Sequence, residues 1–219
     1  MRRFVELSHP IVDGMRAYPG YPSAKVGAYL TREDSRSRFG GKAEFLIGMV
    51  EMVGNVGTYL DAPFHRYATG ADLSEVPLES IAGLDGLVID GKPSSSRSIS
   101  INCAASELRG RADLVRTGWD ERWGTERYWE LGPFLSDDSV NLLIKSEAAL
   151  VGVDFWNVDD VENMSRPAHT RLLGANIPIV EHLTHLSSLP RNGFRFYAVP
   201  PPIVKGASFS VRAFAELSE

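Results

Sequence analysis

The run Gly54-Asn55-Val56-Gly57-Thr58-Tyr59-Leu60-Asp61-Ala62-Pro63-Phe64-His65 follows an apolar stretch, Phe45 to Val53, and the reading of the chain turns on it. Positions 55, 59, 61 and 65 are separated by even numbers. In an extended chain their side chains therefore fall on one face. Gly57 permits close backbone approach, and Pro63 ends regular strand pairing. A face of Asn, Tyr, Asp and His is ill suited to plain packing, which points to a functional surface. The plainer reading is a turn in which Asp61 accepts from backbone amides and His65 is an ordinary surface imidazole.

Working outward, short runs rich in Val, Ile and Phe recur between Gly, Pro, Asp and Asn. They predict strands at Phe4 to Leu7, Phe45 to Val53, Gly86 to Asp90, Asp113 to Thr117, Ala149 to Asp154, Ile177 to Glu181 and Phe194 to Pro200. Pro178 inside the sixth run weakens that strand or places it at a sheet edge. Ser136-Asp137-Asp138 supplies an N-cap and an acidic first turn for a helix to about Ala148, with Val140, Leu143 and Ile144 on one face. Arg166 to Gly174 reads as a short helix, with Pro167 in its first turn and Gly174 at its stop. Gly91 to Arg97 is a polar loop within a domain. The sum is an α/β or α+β chain with more strand than helix.

A second polar pair is His169 and Glu181. His169 falls in the first turn of the short helix and Glu181 at the far end of the following strand. If the strand doubles back past the helix, the two meet at one end of the unit. Such a meeting suits a metal pair, a salt bridge or a catalytic dyad. His182 and His185 read as exposed or capping imidazoles after the strand; a helix there would instead bring His185 toward Glu181. His9 reads as structural. Tyr18, Tyr21, Phe64 and Trp156 are candidates for an apolar slot or for plain packing. Trp119, Trp123 and Trp129, among alternating charges, read as core or subunit-contact aromatics.

Composition narrows the function classes. The 219 residues carry 23 Lys plus Arg against 28 Asp plus Glu, a net charge of −5 without a clustered basic surface, so nucleic acid is not an expected partner. The longest apolar runs fall well short of the roughly 18 to 20 residues of a spanning helix. Met1 to Leu7 carries an acid inside its apolar part, unlike a signal peptide. A single cysteine, Cys103, excludes an intramolecular disulfide and a cysteine-rich zinc site. A reducing cytoplasm is the expected location. The five histidines are the whole imidazole supply.

The segment 55–65 resembles the His-x-Gly-Thr-His-x-Asp-x-Pro-x-His signature of the cyclase family, the bacterial kynurenine-formamidase-like metal-dependent hydrolases. The resemblance runs along most of the chain. Leu7-Ser8-His9-Pro10 with Tyr18-Pro19-Gly20-Tyr21-Pro22 is similar to that family's opening, and Gly70 to Leu73, Pro77-Leu78 and Leu87 to Asp90 to the section after its signature. Arg116 to Trp119 and Val151 to Asp154 match two strand ends, and Ile179 to Leu183 its late metal-ligand strand. The resemblance implies one domain, 1–219, with a swivelling β/β/α fold and a β-barrel-like core, assembled as a homodimer or homotetramer.

The chain departs from the signature at two positions. Asn55 and Tyr59 stand where the family has metal-binding histidines, while Asp61 and His65 keep their places, and the downstream His169 and Glu181 are retained. An Asn carbonyl is a weak neutral ligand, and a phenol must lose a proton of ordinary pKa about 10 to bind well. The resemblance thus implies a metal site of Asp61, His169 and Glu181 for one divalent ion, Mn or Zn, with His65 and Asp61 catalytic. Tyr18, Tyr59, Phe64 and Trp156 are the expected substrate-binding residues. The implied activity is arylformamidase-like hydrolysis of an amide, lactam or ester in a small cyclic or aryl molecule. The altered signature equally suits a metal-independent cyclase, lyase or isomerase, or a binding protein without catalysis.

Overall fold

The computed structural model describes residues 2–91 and 96–218. Its strands are β1 (Arg2–Glu6), β2 (Lys25–Leu30), β3 (Ile47–Glu51), β4 (Tyr59–Asp61), β5 (Ala82–Asp90), β6 (Ser98–Ile99) and β7 (Ala112–Arg116). They continue with β8 (Phe134–Leu135), β9 (Leu150–Val153), β10 (Ile179–Glu181), β11 (Phe194–Tyr197), β12 (Ser208–Ser210) and β13 (Phe214–Ser218). The α-helices are α1 (Arg32–Arg38), α2 (Ala105–Leu108), α3 (Asp137–Lys145) and α4 (Pro167–Gly174). The polar loop expected at 91–97 falls largely on 92–95, outside the described residues.

Nine strands form one curled, half-barrel sheet in the order β1-β13-β11-β5-β7-β9-β10-β4-β12. The β5-β7-β9-β10 block is parallel and its flanks are antiparallel. Parallel strands are covered on both faces, which explains their near-continuous apolar sequences. Leu114, Leu150 and Val180 face one core with Leu60, Leu183 and Phe196. Val115, Val151 and Ile179 face the other, against Val140 and Leu143 of α3 and Leu172 of α4. Strand outweighs helix, as the sequence predicts. Among the described residues no helix is long and apolar enough to cross a membrane.

The helix after Ser136 forms as its cap predicts. The Ser136 hydroxyl accepts from the Ser139 amide at 3.1 Å, and Asp137 and Asp138 occupy the positive first turn. It ends at Lys145, a turn before Ala148. Truncating the fully buried Leu143 to Ala would cost about 2–5 kcal/mol.

The strand expected in the Phe45–Val53 run forms as β3; among the described residues it pairs only with β2 and is exposed along its whole length. With α1 between its strands, this hairpin leaves Tyr29, Ile47, Met49 and Val50 in solvent. β10 is not an edge: it lies between β9 and β4 and is fully buried. Pro178 sits one residue before the strand and contributes only its carbonyl, which accepts from the Val151 amide at 3.0 Å, so its missing N–H costs nothing. The close approach expected at Gly57 occurs instead at Gly54, where a Cβ would fall 2.1 Å from the Ser208 carbonyl oxygen; Gly57 is needed for its φ of 62°.

Candidate active site and metal centre

β4 is the pivot of the site. Tyr59 and Asp61 project from the same face, and register places Tyr59 opposite Glu181 of β10 and Asp61 opposite Ser208 of β12. Asn55 reaches this face from the preceding loop, and His65 from a short 3₁₀ turn, Pro63–His65. The four signature positions thus share one wall, though only two of them do so through strand geometry. Across the wall, α4 carries His169 in its first turn.

Asp159 fixes that histidine. Its carboxylate accepts from the Ala168 amide at 2.6 Å and the His169 amide at 3.2 Å, capping the helix, and from His169 Nδ1 at 2.7 Å. The imidazole therefore presents Nε2 to Asp61 Oδ2 at 3.6 Å and Glu181 Oε1 at 3.5 Å. Asp61, His169 and Glu181 are all buried, and their facing atoms lie within 4.8 Å of one another. Glu181 Oε1 also accepts from the Val158 amide at 2.7 Å, and its Oε2 from the Tyr59 hydroxyl. The Ser208 hydroxyl donates to Asp61 Oδ1, which Asn55 Nδ2 approaches at 3.5 Å. Among the described residues, Asp61 Oδ2 is buried without a hydrogen-bond partner.

The electrostatics follow from this packing. Burial pulls the His169 imidazole down, but the Glu181 charge and the Asp159 hydrogen bond outweigh it and raise it to about 10. Burial pushes Asp61 up, yet the facing His169 imidazole, His65 and the Ser208 hydroxyl hold it below its ordinary range. Glu181 rises to about 7, chiefly through burial. Burial, then Glu181 and Asp61, push the Tyr59 phenol well above its ordinary value. Tyr59 is thus a neutral donor to Glu181.

His65 is the most accessible member, its side chain 36% exposed. Its Nδ1 lies 3.1 Å from Ser208 Oγ and 3.8 Å from Asp61 Oδ1. The single Ser208 hydroxyl proton goes to Asp61, so the tautomer consistent with this contact has His65 Nδ1 donating to Ser208 Oγ and Nε2 free for another partner.

These groups line a cavity of about 180 Å³, bordered also by Tyr18, Tyr21, Asn157 and Arg166. Of the expected substrate-binding residues, Tyr18 and Tyr59 reach it. Phe64 and Trp156 are not among its lining residues; Trp156 is buried behind Tyr18 at a ring separation of 5.3 Å, its indole N–H donating to the Glu130 carbonyl at 3.1 Å. His182 corrects the expectation of an exposed imidazole: it is buried, with Nδ1 2.9 Å from the Tyr128 hydroxyl, and burial lowers it to about 3. His185 is exposed and caps a 3₁₀ turn, so no helix carries it toward Glu181. His9 stacks on Trp123 at 3.7 Å, outside the cavity. Asp159, Ser208, Asn157 and Arg166 join the site without being candidates from sequence. Only Asp159 left a trace, as an acid shortly before a helix start.

Residues 5–160 match the family described as putative cyclase. The chain belongs to the cyclase family. As a cyclase-family chain it is 26% identical over 212 residues to the kynurenine formamidase of Bacillus cytotoxicus, covering 96% of this chain and 95% of that one. It is 27% identical over 224 residues to the kynurenine formamidase of Salinibacter ruber, covering 95% of each. Isatin hydrolase A from Labrenzia aggregata, solved with benzyl benzoate bound, superposes with a TM-score of 0.81 at 20% identity, covering 100% of this chain and 94% of that chain. A potential metal-dependent hydrolase with cyclase activity superposes at 0.78 and 19% identity, with both chains fully covered. These two likenesses establish the shared fold. The family match ends at residue 160, so His169 and Glu181 stand on the geometry above.

The donor set fits a divalent cation. Ligands 2.0–2.2 Å from one ion at tetrahedral angles lie about 3.4 Å apart, close to the observed 3.5 and 3.6 Å, which are too long for good hydrogen bonds. Asp61 Oδ2 lacks a partner, and the Asp159 bond to Nδ1 orients Nε2 as it does in carboxylate–histidine–metal arrangements.

Proposed function

We propose that this chain is a hydrolase that opens an amide, lactam or ester bond in a small cyclic or aryl substrate, in the manner of an arylformamidase. The observation that carries this reading is the convergence of Asp61 Oδ2, His169 Nε2 and Glu181 Oε1 beside His65 in one cavity. Asp61, His169 and Glu181 would hold one Mn or Zn ion, which when bound supplies Lewis-acid polarisation of a carbonyl and makes water more acidic. His65 Nε2 accepts a proton from the attacking water and returns it to the leaving nitrogen or oxygen. Ser208 and Asp61 hold the tautomer that frees Nε2 for this. Tyr18 and Tyr59 bound the substrate. The site works on a small molecule, in the cytoplasm and in a homodimer or homotetramer, for which the exposed apolar β2–β3 arm is a suitable contact.

One observation favours a second reading. The Tyr59 hydroxyl already bonds Glu181, and a protonated His169 balances the two carboxylates without an ion. On that reading His65 and Asp61 serve a metal-independent cyclase, lyase or isomerase, or the cavity only binds its ligand. The test is turnover of a panel of formanilides, lactams and lactones by protein purified without chelator and supplied with Mn or Zn. His65→Ala is expected to lower kcat at least a hundredfold with its melting temperature retained. Turnover that ignores metal supports the second reading, and absence of turnover throughout contradicts the hydrolase.

A further inference from the structure

Arg166 stands three residues before His169, and its half-buried side chain lines the same cavity as His65 and Glu181. A guanidinium carries five N–H donors in a rigid fork matched to a carboxylate. Among the described residues this one forms no ion pair. Its side-chain hydrogen bonds go to two neutral oxygens, from Nη1 to Asn157 Oδ1 at 3.5 Å and from Nη2 to the Tyr18 hydroxyl at 3.2 Å. Both are long beside the 2.7–2.9 Å of charge-assisted bonds. The cation is positioned by its neighbours but not satisfied by them.

Its backbone is built for this placement. Arg166 has φ 49° and ψ 60°, a left-handed conformation costly for a residue with a Cβ and disfavoured again before Pro167. The helix start holds it there: the Arg166 amide donates to the Asn163 carbonyl at 3.2 Å, and its own carbonyl accepts from the Thr170 amide at 3.1 Å. The guanidinium therefore rides on the element that fixes His169. Beside it, the Tyr18 ring packs against Tyr21 at 5.4 Å and Trp156 at 5.3 Å, giving an aromatic wall next to the cation.

We infer that Arg166 is a specificity-determining residue which takes the carboxylate of an acid-bearing aryl or cyclic substrate. This rests on the reading of the cavity as the catalytic site. The carboxylate would accept from the unused donors of the fork while the ring lies along Tyr18, leaving the scissile carbonyl toward His65.

The test compares wild type, Arg166→Gln and Arg166→Lys on a matched pair, 3-formamidobenzoate and formanilide, with calorimetric binding of benzoate and benzamide in parallel. The wild type is expected to favour the acid. In Arg166→Gln the acid-to-neutral ratio of kcat/KM falls at least tenfold, through KM, and the benzoate-to-benzamide affinity ratio falls with it. Arg166→Lys, which keeps the charge but loses the fork, falls between; it carries the test should the glutamine variant not fold, and a wild-type ratio in it contradicts a fork-to-carboxylate contact. Equal losses on both substrates, or a wild type with no preference for the acid, overturn the proposal and leave Arg166 as a charge-balancing group. If neither substrate turns over, the binding arm still decides: an Arg166-dependent benzoate preference keeps the anion site while the hydrolase reading fails, and its absence removes both.

Discussion

Two regions of the same sheet bury carboxylates in opposite ways. On β4 and β10, Asp61 and Glu181 are ringed by polar groups: the Ser208 and Tyr59 hydroxyls and the Val158 amide donate to them, and His169 Nε2 faces them at 3.6 and 3.5 Å. Two strands away from β10, Asp113 on β7 is wholly buried between Leu87 and Val151 in register, and among the described residues neither of its oxygens has a partner. Burial pushes Asp113 up to about 8, with Arg111 opposing weakly. Asp61 and Asp113 share residue type and burial, and the surroundings decide whether the charge is kept: the groups around Asp61 hold it below its ordinary range, while Asp113 is pushed toward its protonated form.

Opening the ringed region gives the largest effect. Glu181→Gln removes one carboxylate from a buried set and leaves its partners uncompensated, a loss of about 3–5 kcal/mol. Turnover of the panel substrates is expected to drop about a thousandfold, read by steady-state kinetics; activity within tenfold of wild type would mean that Glu181 is not part of the machinery.

The lone carboxyl gives the next effect, of opposite sign. Below about pH 4 Asp113 is protonated in both folded and unfolded chains. As pH rises toward 8 the unfolded chain releases the proton first, so folding stability falls across that window and levels off above it. At about 1.4 kcal/mol per pH unit the cost at pH 8 is several kcal/mol. Asp113→Val is expected to raise the melting temperature at pH 8 and to flatten this part of the pH profile, checked by calorimetry from pH 4 to 9. An unchanged profile would show that Asp113 is not a buried proton store.

Restoring the signature imidazoles sharpens the first region. The double variant Asn55→His with Tyr59→His is expected to tighten Mn or Zn binding about tenfold, because neutral imidazoles replace a weak amide oxygen and a neutral phenol. Unaltered metal uptake would show that these side chains do not face the ion. The smallest effect lies outside both regions, on the arm. Met49→Lys with Val50→Lys is expected to lower the mass in solution, measured by light scattering, while a monomeric wild type would remove the arm from the account.

The sequence and the structure agree best where chemistry and local geometry coincide. The wall of Asn55, Tyr59, Asp61 and His65 was legible because Tyr59 and Asp61 alternate on a real strand, and the helix after Ser136 because its cap is local. The meeting of His169 with Glu181 was legible as a conditional, since β10 does run back past α4. What escaped depends on long-range contacts. Ser208 reaches Asp61 across 147 residues on a three-residue strand with little pattern of its own. His182 is buried by Tyr128, which follows from the tertiary packing and not from its neighbours in sequence. β2 has no buried face to impose an alternation, so its pairing with β3 left no signature. Arg166 reads as an ordinary helix-start residue until its lack of a counter-ion is seen in three dimensions.

Asp61, His169 and Glu181 are proposed to hold one divalent ion together. Calorimetric titration of Mn or Zn into chelator-treated protein, repeated with His169→Ala, tests it most directly. The account predicts one ion per chain in the wild type and at least a hundredfold weaker binding in the variant. No saturable binding in the wild type, or equal affinity in the variant, would contradict it.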